Sequence, residues 1–135
     1  MTKADKAPLR GLHVLVVEDD DDARFITEAS LRYCGALVTA VPSASQALAV
    51  VRKLIPDIVI ADIAMPFHDG NWLLQQLRAR QQVTGRYVPV VALTASITRG
   101  MTSGFDEILL KPCPMDRLCE VILRLTSRRS IDEVH

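Results

Sequence analysis

Short apolar runs alternate along the chain with longer segments whose apolar residues recur at helical spacing. The apolar runs are rich in β-branched and aliphatic residues and predict five strands, at 12–17, 36–41, 58–61, 88–93 and 108–110. The segments between and after them predict four clear helices, at 22–33, 43–54, 70–82 and 114–126. Strands that are apolar on both faces and alternate with helices indicate an α/β fold with a parallel sheet covered on both sides.

The connection between the fourth and fifth predicted strands departs from this alternation. It should hold a helix, yet residues 95–104 form a short segment that contains Gly100 and Gly104. Glycine inside a helix costs about 1 kcal/mol relative to alanine. We therefore expect the helix after the fourth strand to be short, replaced by a loop or absent.

Length and composition fit one domain with its own core. The chain has 135 residues, of which 49% are hydrophobic, and such a composition argues against disorder. The polar ends predict a flexible N-terminal segment at 1–10 and a C-terminal tail at 127–135. The domain itself is predicted to span 11–126.

Charge and hydropathy limit the expected partners and location. Lys plus Arg and Asp plus Glu both number 16, so the chain has no charge excess that would attract nucleic acid or an anionic membrane. No apolar run approaches the roughly 18 residues of a membrane helix, and the start lacks the apolar stretch of a signal peptide. We expect a cytoplasmic protein without membrane insertion.

The three cysteines of the chain (Cys34, Cys113 and Cys119) have no metal-type spacing. They predict reduced side chains packed as small hydrophobes.

Polar residues follow four of the predicted strands at the points where those strands end. Glu18 and Asp19 follow the first strand, Asp62 the third, Thr94 the fourth and Lys111 the fifth. The carboxyl ends of parallel strands lie at the same edge of a sheet, where open α/β folds bind their ligands. We therefore expect these five side chains to share one site.

Five consecutive carboxylates occupy 18–22. A helix start explains the last three, because aspartate is favourable at the N-cap and in the first turn. It does not explain Glu18 and Asp19 beside Asp62, since like charges about 4 Å apart repel by about 4 kcal/mol at an effective dielectric of 20. Mg²⁺ would offset that repulsion, with Lys111 as a second source of positive charge. Zinc is disfavoured because histidine and cysteine do not accompany these carboxylates.

Carboxylates, a hydroxyl and an ammonium around such a metal suit phosphoryl chemistry. Asp62 is the candidate nucleophile and would form an aspartyl phosphate. Thr94 would donate a hydrogen bond to the phosphoryl group, and Lys111 would neutralise its oxygens.

The chain resembles a response-regulator receiver domain from about Leu12 to Leu125. The resemblance rests on Val-Val-Glu18-Asp19-Asp20, Asp62-Ile-Ala-Met-Pro66 followed by Asp69-Gly70, Ala-Leu-Thr94-Ala95 and Lys111-Pro112. It implies a flavodoxin-like, doubly wound sheet with strand order 2-1-3-4-5. It also implies Asp62 as phosphoacceptor, Asp19 as a direct Mg²⁺ ligand, Glu18 as a ligand through water and the Ala64 carbonyl as a further ligand. Thr94 and Lys111 would contact the phosphoryl group, with Lys111 aimed by a cis bond to Pro112.

Two departures from the family pattern concern its conformational switch, which would involve Thr94, Ile108 and Pro112. Ile108 stands where the family usually has an aromatic residue that moves inward together with the threonine. The interval from Thr94 to Lys111 is also shorter than usual by roughly five residues, more than one helical turn. We expect the phosphorylation chemistry to persist and the surface that contacts output partners to differ.

The resemblance implies a phosphoacceptor that takes its phosphoryl group from phosphohistidine on a histidine kinase or histidine phosphotransfer protein. Such a domain catalyses only its own phosphorylation and dephosphorylation, so we do not class it as an enzyme, and it would signal by docking to another protein. Whether the chain stands alone or is part of a hybrid kinase stays open. We expect His68 to be an exposed loop residue and Trp72 to be a partly buried packing residue.

Three other functions compete with this one. A flavodoxin-type carrier needs a glycine- and hydroxyl-rich phosphate loop after the first strand, where this chain has carboxylates. A haloacid-type phosphatase has Asp-x-Asp-x-Thr there, whereas this chain reads Asp20-Asp-Asp22-Ala-Arg24. A receiver-like interaction module that works without phosphorylation is the strongest alternative, because Ile108 and the short connection favour it.

Overall fold

The computed structural model describes residues 7–65, 67–95 and 104–134, with side chains described up to residue 127. It contains five strands: β1 (His13–Val17), β2 (Leu37–Val41), β3 (Ile58–Asp62), β4 (Val90–Thr94) and β5 (Glu107–Leu110). The helices of the described residues are α1 (Asp21–Tyr33), α2 (Ala44–Lys53), α3 (Gly70–Thr84) and α4 (Met115–Val134). None of these helices is both long enough and apolar enough to cross a bilayer.

All neighbouring strands pair in parallel, in the order β2-β1-β3-β4-β5. The predicted flavodoxin-like topology is therefore confirmed. At the carboxyl edge of the sheet, Val17 pairs with Ala61 and Asp62 pairs with Leu93. This register brings the residues that follow β1, β3, β4 and β5 to one edge, as the order of the strands requires.

Each central strand contributes to two cores because successive side chains point to opposite faces of a sheet. On one face, Val14 and Val16 of β1 pack with residues of α1 and α4, including Leu31, Leu118 and Ile122. On the other face, Leu15 and Val17 pack with residues of α2 and α3, including Ala47, Val51, Leu73 and Leu77. This two-sided burial explains why the strands are continuous apolar runs rather than alternating ones.

Side-chain caps fix the starts of three helices. The carboxylate of Asp20 accepts a hydrogen bond from the Ala23 amide at 2.8 Å, as expected for a helix start within the acidic run. Asp69 caps α3 in the same way, accepting from the Trp72 amide at 3.0 Å. Ser43 accepts from the Gln46 amide at 3.2 Å and caps α2.

The N-terminal segment is more ordered than the sequence predicts. Leu9 is fully buried in the core shared with α1 and α4, and its amide donates to the Cys34 carbonyl at 2.9 Å. Ala7 lies so close to the turn after α1 that a Cβ on Gly35 would come within 2.8 Å of its side chain. Residues 7–10 thus pack onto the domain, within the 1–10 segment that the sequence predicts to be flexible, because Leu9 gains burial there. Residues 1–6 lie outside the described part.

The last helix also extends further than predicted. The sequence places its end at Thr126, whereas α4 continues through the predicted tail to Val134. Thr126 lies inside the helix, where its hydroxyl donates to the Ile122 carbonyl at 2.7 Å. Glycine and proline, the strongest helix breakers, do not occur between Met115 and His135. The other uncertain element, the short or absent helix after β4, falls on residues 96–103, outside the described residues.

Candidate functional site

Three carboxylates meet at the carboxyl edge of the sheet. Glu18 and Asp19 follow β1, Asp62 ends β3, and one oxygen of each lies within 4.8 Å of the others. Glu18 and Asp62 are buried, with 4% and 8% of their surface exposed, whereas Asp19 is exposed. An all-oxygen cluster that is buried on one side and open on the other fits a hard divalent cation such as Mg²⁺.

Lys111 places an ammonium group against this cluster. Its Nζ lies 2.5 Å from Oε1 of Glu18 and 3.7 Å from Oδ1 of Asp62. The Lys111–Pro112 bond is cis, as the resemblance implies. The sequence indicated a lysine near the aspartate, and the structure shows that its closer partner is Glu18.

Glu18 is held by groups on both sides of the strand end. Its Oε2 accepts a hydrogen bond from the Asp20 amide at 3.3 Å, and its backbone carbonyl accepts from Nη1 of Arg24 at 3.0 Å. Arg24 also pairs with Asp21 at 2.7 Å. Sequence reasoning did not single out Arg24, although an arginine in the first turn after five carboxylates is the signal that could have identified it.

The surroundings of Asp62 disfavour its ionised form. Burial raises the pKa of Asp62 to about 6, and the hydrogen bond and negative charge of Glu18 act in the same direction. The charge of Lys111 and the amide of Ala64, which donates to Oδ1 at 3.3 Å, lower it in part. Because a carboxylate must be ionised to bind a cation or attack phosphorus, extra positive charge at this site would favour its function.

The same carboxylates keep Lys111 charged. Burial alone would lower the pKa of Lys111, but its hydrogen bond to Glu18 and the charges of Asp62, Glu18 and Asp19 raise it above the ordinary value. Lys111 is therefore a fixed positive charge at the edge of the sheet at any physiological pH.

The remaining predicted residues lie on β4, β5 and the loop after β3. Thr94 ends β4, is 5% exposed and accepts the Lys111 amide on its carbonyl at 2.7 Å. Ala64 is exposed in the loop after β3, and its amide contacts Asp62. Ile108 is half-buried in β5, where it pairs with Ala92. These placements agree with the implied roles of the residues, which themselves stay predictions.

Gly70 fixes how closely α3 approaches the phosphoacceptor candidate. A Cβ at this position would lie 2.8 Å from the Asp62 carbonyl oxygen and 3.0 Å from Cα of Ile63. The Gly70 amide donates to the Ile63 carbonyl at 3.0 Å. Only glycine allows this contact between the start of α3 and the end of β3. The sequence indicates Gly70 only as a helix start, and this contact depends on the fold.

An aromatic pair joins the loop after Asp62 to the first turn of α3. The rings of His68 and Trp72 stack with centroids 4.0 Å apart and an interplanar angle of 16°. His68 is exposed and Trp72 half-buried, as expected. Phe67 precedes the pair with a fully exposed side chain and a φ of 67°, which is unusual for a residue other than glycine.

Comparison with known proteins is consistent with this arrangement. The family model "Response regulator receiver domain" matches residues 14–123. The chain belongs to the response regulator receiver domain family. The resemblance that the sequence motifs indicated is thus confirmed over most of the chain.

The relatives of this receiver domain differ in length. It is 36% identical over 109 residues to an uncharacterized 14.6 kDa protein of Leptolyngbya boryana, and the match covers 77% of this chain and 82% of that protein. It is 30% identical over 127 residues to the transcriptional regulatory protein AfsQ1 of Streptomyces coelicolor, covering 88% of this chain and 54% of the regulator. This chain spans about half the length of AfsQ1 and less of the Arabidopsis thaliana regulator APRR3, of which it covers 23%.

Solved receiver domains of two histidine kinases share the fold. The receiver domain of PA1611 from Pseudomonas aeruginosa, with a magnesium ion in its active-site cleft, matches with a TM-score of 0.79 and 31% identity over 87% of this chain and 98% of its own. The receiver domain of CKI1 from Arabidopsis thaliana, complexed with Mg²⁺ and BeF3⁻, matches with a TM-score of 0.80 and 25% identity over 92% and 95%.

Proposed function

We propose that this receiver domain accepts a phosphoryl group on Asp62 from a phosphohistidine, with Mg²⁺ bound by Glu18, Asp19 and Asp62. The observation that carries the proposal is the meeting of these three carboxylates with the ammonium of Lys111 at one edge of the sheet. The magnesium-bound receiver of PA1611 supports the choice of cation. The donor would be a histidine kinase or a histidine phosphotransfer protein.

Each side chain of the site has a separate role in the proposed phosphoryl transfer. An ionised Asp62 oxygen attacks phosphorus while the bond from phosphorus to the imidazole nitrogen of the donor breaks. The other ring nitrogen of the donor carries a proton, so that the products are the acyl phosphate and a neutral histidine. Lys111, already 3.7 Å from Asp62, neutralises charge on the phosphoryl oxygens. The Thr94 hydroxyl donates a hydrogen bond to one of those oxygens. Bound Mg²⁺ would supply further positive charge there, with the Ala64 carbonyl as an additional ligand.

The domain would turn over only its own phosphoryl group. Release of phosphate needs water to attack the same phosphorus atom, and the same residues would assist that reaction. Signalling then proceeds by docking to another protein, and the added charge of the phosphoryl group shifts the equilibrium between two conformations.

A module that binds its partner without phosphorylation is the second candidate. It is favoured by Ile108, an aliphatic residue at the strand position where the family usually has its moving aromatic ring. The buried acidic cluster and its lysine disfavour it, because an interaction surface alone has no use for carboxylates that repel one another.

Labelling by a small phosphodonor distinguishes the phosphoacceptor function from the interaction module that works without phosphorylation. We expect acetyl phosphate with Mg²⁺ to add one phosphoryl group to the purified protein, observed by intact mass, and addition of EDTA to prevent it. Asp62→Asn should abolish labelling, whereas Asp22→Asn, the same change at an exposed acid of α1, should leave it intact. Equal labelling of wild type and Asp62→Asn would reject Asp62. Absence of labelling together with retained partner binding would favour the second candidate.

A further inference from the structure

Two of the three cysteines lie against each other inside the protein. Cys34 follows the last residue of α1 and Cys119 belongs to α4. Their Sγ atoms are 3.0 Å apart although the two residues are 85 positions apart in sequence. Non-bonded carbon atoms, which are smaller than sulfur, pack at roughly 3.5–4.0 Å, and an S–S bond measures about 2.0 Å. The two sulfurs are therefore within about 1 Å of bonding distance.

We propose that Cys34 and Cys119 are a redox-active pair, which a two-electron oxidant converts into a disulfide that fastens α1 to α4. The sequence predicted reduced cysteines packed as small hydrophobes, and only the fold brings two of them together. The third, Cys113, is half-buried and contacts the Pro114 carbonyl, with its Sγ 3.6 Å from that oxygen. The proposal does not depend on the phosphoacceptor function.

The reaction balances with hydrogen peroxide as the oxidant. One sulfur attacks a peroxide oxygen, the O–O bond breaks, and the thiol becomes a sulfenic acid with release of one water. The second sulfur then attacks the sulfenic sulfur, and the S–O bond breaks. The departing hydroxide takes the proton of the second thiol and leaves as water. Two thiols and one peroxide thus give one disulfide and two waters.

The surroundings keep the reduced pair stable until an oxidant is present. Cys34 and Cys119 are 5% and 7% exposed and belong to the core that joins α1 and α4. Burial, followed by contact with Cys34, raises the pKa of Cys119 to about 12, so its reactive thiolate is scarce at neutral pH. We therefore expect slow oxidation, over minutes to hours rather than seconds.

A groove lies beside the helix turns that carry the pair. It lies between α1 and the start of α4, has a volume of about 420 Å³, and is lined in part by Ser30 and Leu118. Ser30 accepts the Cys34 amide on its carbonyl, and Leu118 is the neighbour of Cys119 in α4. Cys113 also lines this groove but does not contact the pair through an Sγ–Sγ contact, so it is the internal control.

Thiol counting and peptide mapping on the wild-type protein test the proposal without any variant. The protein is treated with hydrogen peroxide, quenched, denatured and alkylated. We expect two thiols to become inaccessible to alkylation, and a tryptic fragment that joins 33–52 to 118–124 and reverts with dithiothreitol. Cys113 lies on a separate tryptic peptide, 100–117, and should stay out of this link. Three free thiols after prolonged treatment, or links that involve only Cys113, would overturn the proposal.

The thermal stability of the protein gives a second test of the proposed disulfide. A disulfide that closes the long loop from Cys34 to Cys119 should raise the melting midpoint by roughly 5–15 °C, because it restricts the unfolded chain. Cys119→Ala should remove the oxidant-dependent rise and the linked fragment, whereas Cys113→Ala should retain both. In Cys119→Ala, a fragment that links 33–52 to 100–117 and is as abundant as the wild-type link would show that Cys34 pairs with Cys113 instead. An oxidant-dependent rise of equal size in Cys119→Ala would contradict the assignment as well.

Discussion

Glu18 and Lys111 form an ion pair of 2.5 Å that joins the end of β1 to the end of β5. In the order of the sheet, β3 and β4 lie between these strands. The ion pair therefore spans the edge of the sheet at which β3 ends with Asp62 and β4 ends with Thr94. Lys111 thus balances the buried charge of Glu18 and links the outer strand to the centre. The receiver domain holds its lysine close to the phosphoacceptor candidate in this way.

Removal of the Lys111 charge should destabilise the metal-free domain. In Lys111→Met the buried Glu18 and the nearby Asp62 lose their cation, and we expect a loss of about 1–3 kcal/mol in the free energy of unfolding. Urea denaturation at pH 7.5 in EDTA measures it. Lys53→Met, an exposed position at the end of α2, is the matched control and should change stability little. If both variants unfold at the same urea concentration as wild type, the ion pair contributes nothing.

Mg²⁺ should stabilise the domain by binding only the folded state. At ten times the dissociation constant the gain is about 1.4 kcal/mol, observed as a rise in the melting midpoint. Asp19→Asn should abolish this rise while leaving the metal-free stability nearly unchanged, because Asp19 is exposed. Trp72, which lies in the first turn of α3 just beyond Asp62, gives a fluorescence signal for the same titration. An unchanged melting midpoint for wild type in millimolar Mg²⁺ would speak against the proposed metal site.

Asp62 should make the metal-free protein less stable as the pH rises. Its pKa is about 6 in the folded protein against an ordinary value of 3.8, so the folded state binds the proton more tightly than the unfolded chain. The contribution of this bound proton to the free energy of unfolding is fully present below about pH 4 and is lost as the pH rises through about 6. Asp62→Asn should therefore gain about 1–3 kcal/mol over wild type at pH 7.5 in EDTA, and this advantage should vanish at pH 4. A constant difference between the two proteins across this range contradicts the raised pKa.

The chain order of strands and helices was enough to predict which side chains share the site. Each of Asp62, Thr94 and Lys111 is the polar residue that ends or follows an apolar run, and parallel pairing leaves only one edge for them. The strand order itself came from the resemblance. The residues that carry the motifs are therefore the part of the molecule that a single sequence reveals best.

Contacts between distant segments were not predictable in the same way. Lys111 could be placed near the cluster, but its preference for Glu18 depends on side-chain positions that the spacing does not encode. Leu9 lies in a segment without helix or strand periodicity, and only the fold shows the core position that it fills. The contact of Cys34 with Cys119 likewise needs the packing of α4 on α1, which short sequence patterns do not specify.

Arg78 holds together the amino ends of β4 and β5, at the edge of the sheet opposite the acidic cluster. From α3 it donates to the Val88 carbonyl at 2.9 Å, to the Gly104 carbonyl at 3.2 Å and to the Asp106 carboxylate at 2.9 Å. Its guanidinium also lies 4.8 Å from the ring centroid of Tyr87. Asp106 in turn accepts hydrogen bonds from Tyr87 and from the amide of Val90, the first residue of β4. One side chain thus joins the segment that enters β4 to the segment that enters β5.

Replacement of Arg78 by lysine should lower stability even though the charge is kept. A lysine ammonium cannot reach two carbonyls and a carboxylate in the planar fork of a guanidinium, so we expect a loss of about 1–3 kcal/mol in the free energy of unfolding. Arg86→Lys, at an exposed position after α3, is the control and should be neutral. Hydrogen exchange should locate the effect, since the amide of Val90, which donates to Asp106 at 2.7 Å, should exchange faster in Arg78→Lys. If Arg78→Lys and Arg86→Lys unfold at the same denaturant concentration, the network around Arg78 does not stabilise this edge of the sheet.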